Sequence, residues 1–151
     1  MNALGNALLQ FWKSSIGKKL IVAVTGILLV GFLIAHMLGN LLIYQGREAL
    51  NDYAYFLHHF LHGAGIWVAR AGLLAAFVLH IVATVALTRQ NRESRDTRYV
   101  HEETVQAPKS SLIMIWSGLT ILAFVVFHLL HFTVKAGTDY ASFVDPAYLA
   151  E

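Results

Sequence analysis

Two histidines occupy the same place in two apolar runs. TGILLVGFLIAH, residues 25–36, and SGLTILAFVVFH, residues 117–128, each start with Thr-Gly or Ser-Gly and end on an imidazole ten residues past the glycine. An imidazole nitrogen ligates a metal or relays a proton. At membrane depth an ionisable side chain is costly, which makes it a functional candidate by default. His80, inside LLAAFVLHIVATVAL, is a third such residue, and His131 lies one turn beyond His128.

The elements that hold these histidines follow from composition. The chain has 151 residues, 57% of them hydrophobic, and a mean hydropathy of +0.58, too apolar for a water-soluble domain of this size. Three runs are long enough to span a bilayer, at about residues 20–44, 65–88 and 112–134. The polar stretches between them are too short to bury a core, so one all-α membrane domain over residues 1–151 is expected. The first run is too long for a signal-peptide core and no small-residue cleavage site follows it, which makes it an uncleaved span. The absence of cysteine excludes thiolate-ligated iron–sulfur clusters and c-type haem attachment in this chain.

Charge orients the spans. Lys13, Lys18 and Lys19 precede the first, and Arg89, Arg92, Arg95, Arg98 and Lys109 join the second to the third. The other side holds Arg47 and Lys135, with Arg70 at the rim. Positive residues favour the cytoplasmic side, so the N-terminus is inside. The net charge of +2 reflects this topology and not nucleic-acid binding, since Glu93, Asp96, Glu102 and Glu103 alternate with the arginines. The outer loop, Gln45 to Gly63, carries Leu50, Tyr53, Ala54, Leu57 and Leu61 at helical spacing and reads as a short interfacial helix.

Depth sorts the histidines. At 1.5 Å per residue, His36 and His128 both lie roughly 24 Å from the inner edge of their spans. His80, on the returning helix, lies about 12 Å from that edge. Two level imidazoles on neighbouring helices suit a b-type haem with one nitrogen on each face of the iron. Gly26 and Gly118 fall about 15 Å below their histidines, near the level of His80, where a missing side chain would leave room for a second haem. Packing is the competing account: an intramembrane histidine can simply hydrogen-bond a neighbouring helix, and glycine is common at close helix contacts. Phe124, Phe127 and Phe132 around His128 suit a haem pocket or ordinary packing equally. In HHFLH, His58 and His62 are four apart and would share a helix face. No local carboxylate or thiol completes a zinc set, so these two, like His101, are read as solvated.

The chain resembles the single-chain, di-haem cytochrome b membrane anchor of succinate dehydrogenase and fumarate reductase. The resemblance rests on SSIGKKLIVAVTGILLVGFLIAHMLGNLLIY, EALNDYAYFLH, LLAAFVLHIVATVALTRQNR and MIWSGLTILAFVVFHLLHFT, in that order and spacing over most of residues 14–134. It implies five spans with an axial histidine on each of the first four. His36 and His128 match the ligands of the outer haem, and His80 one ligand of the inner haem. Spans four and five and the fourth histidine are missing. A longer gene product is the expected reason; helices from a separate chain or a lost inner haem are the alternatives.

The resemblance further implies a multi-pass protein of the bacterial cytoplasmic membrane, docked on its inner side to a flavoprotein and an iron–sulfur subunit. Electrons from succinate would pass by way of two b-type haems, one fully ligated by this chain, to a quinone, usually menaquinone. Fumarate reduction is the reverse direction. His131, Glu48 and His59 are the polar candidates for a quinone site near the outer haem. Two other functions stay open: a haem b anchor of another quinone-linked dehydrogenase, and a small assembly or transport protein without haem.

Overall fold

The computed structural model describes residues 2–94 and 107–137. Arg95, Arg98, His101 and the tail past Gly137 lie outside the described residues. Every long described element is a helix, and no strand occurs among the described residues. Three helices are long and apolar enough to cross a membrane: Ser15–Gln45, Ala64–Glu93 and Met114–Val134. The first two overrun the bounds read from the sequence. Charges end an apolar run, but Lys18, Lys19, Arg89 and Arg92 are good helix formers and the backbone ladder continues through them.

The chain falls into two compact units, Met1–Arg98 and Tyr99–Glu151. The first unit opens with α1 (Ala3–Lys13), followed by α2 (Ser15–Asn40), a 3₁₀ turn (Leu41–Gln45), α3 (Arg47–His59) and α4 (Ala64–Glu93). The sequence reading assigned no element to the first fourteen residues. Yet Leu4, Leu8 and Phe11 recur at helical spacing, and all three are exposed on α1.

Ser14 makes the corner between α1 and α2. Its backbone is extended (φ −73°, ψ 143°). Its hydroxyl accepts from the Gly17 N–H at 2.9 Å and donates to the Phe11 carbonyl at 2.8 Å. One orphan group of each helix is thereby satisfied, a cap contributing about 1 kcal/mol. A Cβ on Gly17 would run into the Phe11 carbonyl, so the corner requires glycine. Lys18 is buried beside it and donates to the Lys13 carbonyl at 3.1 Å and to Gln90 Oε1 at 2.9 Å. Its ammonium meets the negative end of the α1 dipole and ties this corner to the end of α4.

Helices α2 and α4 run antiparallel along one another: Lys18 meets Gln90, and Thr25 meets His80. At the other end α3 packs on α2 through Gly39, where a Cβ would fall on the Tyr53 ring. Phe60 leaves the helical conformation (φ −56°, ψ 128°) and ends α3, and Leu61, His62 and Gly63 take positive φ (53°, 56° and 82°) before α4 starts. This corrects the expectation that His58 and His62 share a helix face: the helix stops at His59.

In the second unit, α5 (Lys109–Leu112) is a single turn that breaks at Ile113 (φ −99°, ψ 7°). The third span therefore starts at α6 (Met114–His128), two residues later than the sequence bound. It continues into a π-helical turn, Leu129–Val134, closed by Lys135 at φ 58° and by the Ala136 N–H on the Leu130 carbonyl at 2.9 Å.

Candidate haem-ligand histidines

His80 is half-buried on the face of α4 that meets α2. Its Nδ1 lies 2.9 Å from Thr25 Oγ1, and Thr25 is 5% exposed. The ring packs beside the neighbouring Gly26: a Cβ there would stand 3.5 Å from His80 Cε1 and 3.9 Å from Nδ1, ordinary contact distances. The space beside Gly26 is thus lined by the imidazole itself. The His80 backbone carbonyl accepts from Thr84 Oγ1 at 2.7 Å.

His36 is on the same α2 helix as Thr25, eleven residues further on, hence about 16 Å beyond the His80 layer. Its ring is exposed on α2 and stacks on Phe32 one turn earlier, with centroids 5.2 Å apart and planes at 25°. Its carbonyl accepts from Asn40 Nδ2 at 2.7 Å.

His128 closes α6 with the same local arrangement. Phe124, one turn earlier, lies with its centroid 5.6 Å from the imidazole at 30°, and Phe132 follows at 5.0 Å. The parallel between the two helices therefore runs deeper than glycine and histidine: a phenylalanine stands four residues before each His. That signal is present in the sequence, as Phe32 and Phe124 at the same offset from their histidines. Next to it His131, on the π turn, stacks on Phe127 at 5.5 Å and meets Phe132 edge-on at 4.5 Å. Single-turn π segments recur at functional sites. On α6, Ser117 Oγ donates to the Met114 carbonyl at 2.9 Å, and nothing stands within 4 Å of a Cβ built on Gly118.

The two quinone candidates of the first unit are far apart. Glu48 is in the first turn of α3 and His59 in its last, about 16 Å along the axis, too far to grip one quinone ring together. His59 Nδ1 donates to the Tyr55 carbonyl, 2.9 Å away, and its ring lies on Tyr55 at 3.8 Å. His58 Nδ1 is similarly placed 3.0 Å from the Ala54 carbonyl. These rings are engaged with their own helix. Arg70, at the rim, lies over the Trp67 ring at 5.1 Å. Among the described residues no group of three His, Cys, Asp or Glu side chains gathers.

The donors within the spans are imidazoles, with no thiolate. That donor set fits the axial positions of a b-type haem, and a half-buried His80 with one nitrogen already hydrogen-bonded fits a fixed ligand. No family model, curated protein or solved structure matches the chain.

Proposed function

We propose that the chain is the cytochrome b membrane anchor of a succinate:quinone oxidoreductase, serving succinate oxidation or fumarate reduction. One observation carries the reading. Each of the three apolar helices holds a histidine, and His36 and His128, at equal distance from Gly26 and Gly118, both carry a phenylalanine ring against the imidazole. The order of motifs along the chain adds the family resemblance. The charge bias supports a cytoplasmic N-terminus in a bacterial inner membrane, with α3 along the outer interface.

A b-type haem, when bound, takes and gives one electron at a time. His36 and His128 would hold the outer haem iron between them, and His80 would supply one ligand to the inner one. Phe32 and Phe124 restrict the ring planes of the outer pair. The apolar helix surfaces keep water from the site and lower the local dielectric. On the inner side, Lys13, Lys19 and, at the end of α4, Arg89 and Arg92 offer basic side chains to the iron–sulfur and flavoprotein subunits. At the outer level, His131, Glu48 and His59 are the polar groups available to menaquinone.

A second reading has an observation of its own. The Thr25–His80 bond crosses between helices, as a histidine used only for packing in a small haem-free membrane protein would. A reduced-minus-oxidised spectrum of the purified complex, with haem counted per chain, separates the two. Two haems support the full path with an inner ligand from outside this chain. One haem leaves the His36–His128 site alone, and none sinks the cytochrome reading.

A further inference from the structure

We infer that Thr25 fixes the tautomer of His80 and so decides which imidazole nitrogen is offered to the inner haem iron; the inference rests on the haem reading above. The argument is a count of protons. The Thr25 hydroxyl has one hydrogen. It is 2.6 Å from the Ile21 carbonyl and 3.3 Å from that of Val22, neither of which can donate. The hydroxyl hydrogen is therefore spent on its own helix. Toward His80 Nδ1, 2.9 Å away, the oxygen has only lone pairs to give. Nδ1 must be the donor and carries the ring proton. A neutral imidazole has one such proton, so Nε2 keeps its lone pair, as an iron ligand requires.

Gly26 lies beside the same ring, where a Cβ would stand 3.5 Å from Cε1, an ordinary contact; the support of His80 rests on the Thr25 hydroxyl. Thr25 is a positioning residue, acting through His80. A hydrogen bond donated by the ligand's far nitrogen raises its basicity, and loss of such a partner typically costs about 10–100-fold in metal affinity. A more basic ligand favours ferric iron, so removing the acceptor moves the potential upward.

The test is potentiometry and haem counting on the intact complex carrying Thr25→Val, Thr25→Ser or His80→Ala. Thr25→Val keeps the shape and removes the acceptor. It should raise the midpoint of one haem component and weaken its retention about 10–100-fold, while Thr25→Ser stays close to wild type. His80→Ala should abolish that same component, and the component dependent on His36 and His128 reports that each variant is folded. If His80→Ala removes a component but Thr25→Val leaves its midpoint and retention unchanged, the role of Thr25 is overturned and the haem reading stands. If His80→Ala removes nothing, His80 is not a ligand and the inference falls with it. A wild-type complex without haem overturns the haem reading itself.

Discussion

The Lys18 ammonium reaches across the ends of two antiparallel helices to Gln90 Oε1, 2.9 Å away, while also holding the last-turn carbonyl of α1 at Lys13. Lys18 is 8% exposed, so both bonds lie out of bulk solvent. Hydrogen bonds to a charged group contribute roughly 1.5–3 kcal/mol, and leaving one partner unsatisfied costs a similar amount. Lys18→Met and Gln90→Leu should each destabilise the helix pair. The double variant should cost less than the sum of the singles by about 0.5–3 kcal/mol. Unfolding in mixed detergent micelles measures this cycle, and strict additivity would show that the two side chains do not interact.

Two glycines of α2 should respond in opposite ways. A Cβ on Gly39 would fall on the Tyr53 ring, whereas one on Gly26 meets His80 Cε1 at an ordinary van der Waals distance of 3.5 Å. Gly39→Ala should therefore cost about 1–3 kcal/mol through overpacking, and Tyr53→Leu in the same chain should recover part of it. Gly26→Ala should leave stability within about 1 kcal/mol of wild type, with helix propensity in its favour. Equal losses at the two positions would contradict the packing described.

His36→Ala and His128→Ala should each remove the same haem component. If the two residues ligate one iron, either substitution takes away an axial bond, and the two difference spectra should superimpose. Survival of the outer haem in either variant would show that the pairing is wrong.

Phe32→Leu and Phe124→Leu should loosen that haem without abolishing it. Ring pairs of this kind contribute about 0.5–1.5 kcal/mol beyond area burial, hence roughly a 2- to 13-fold loss in haem retention if the stacking pre-orients the imidazole. Apohaem reconstitution of the variants measures it. Retention equal to wild type in both would reduce the phenylalanines to lipid-facing filler.

How much of this was legible in the sequence depends on the kind of signal. The three spans were, because length without charge is a one-dimensional property. Their ends were read short, because charge marks where a residue prefers water and not where the backbone ladder stops. Thr25 was seen only as the first residue of a Thr-Gly repeat. A helix apolar all round shows no preferred face, so no periodicity revealed that Thr25 looks toward His80. The end of α3 was missed for another reason. Leu61 and His62 adopt positive φ without being glycine, and the only cue, Gly63, arrives after the helix has already stopped. The π turn at Leu129–Val134 leaves no compositional mark, since its residues would serve an α-helix equally well.

Ala83 is the one fully buried apolar side chain among the described residues, and large apolar side chains stay exposed along all three spans. The hydrophobic effect therefore acts on this chain at insertion, when each helix leaves water for lipid, and contributes little when the helices meet. Assembly divides into two stages governed by different forces. The first is nearly irreversible and indifferent to partners. The second depends on a few polar contacts, Lys18 with Gln90 and Thr25 with His80, and on close approach at glycine. A substitution at those contacts leaves insertion intact and acts on pairing alone, so its product is a chain correctly threaded through the bilayer but unassembled, a target for membrane quality control and not for aggregation in water.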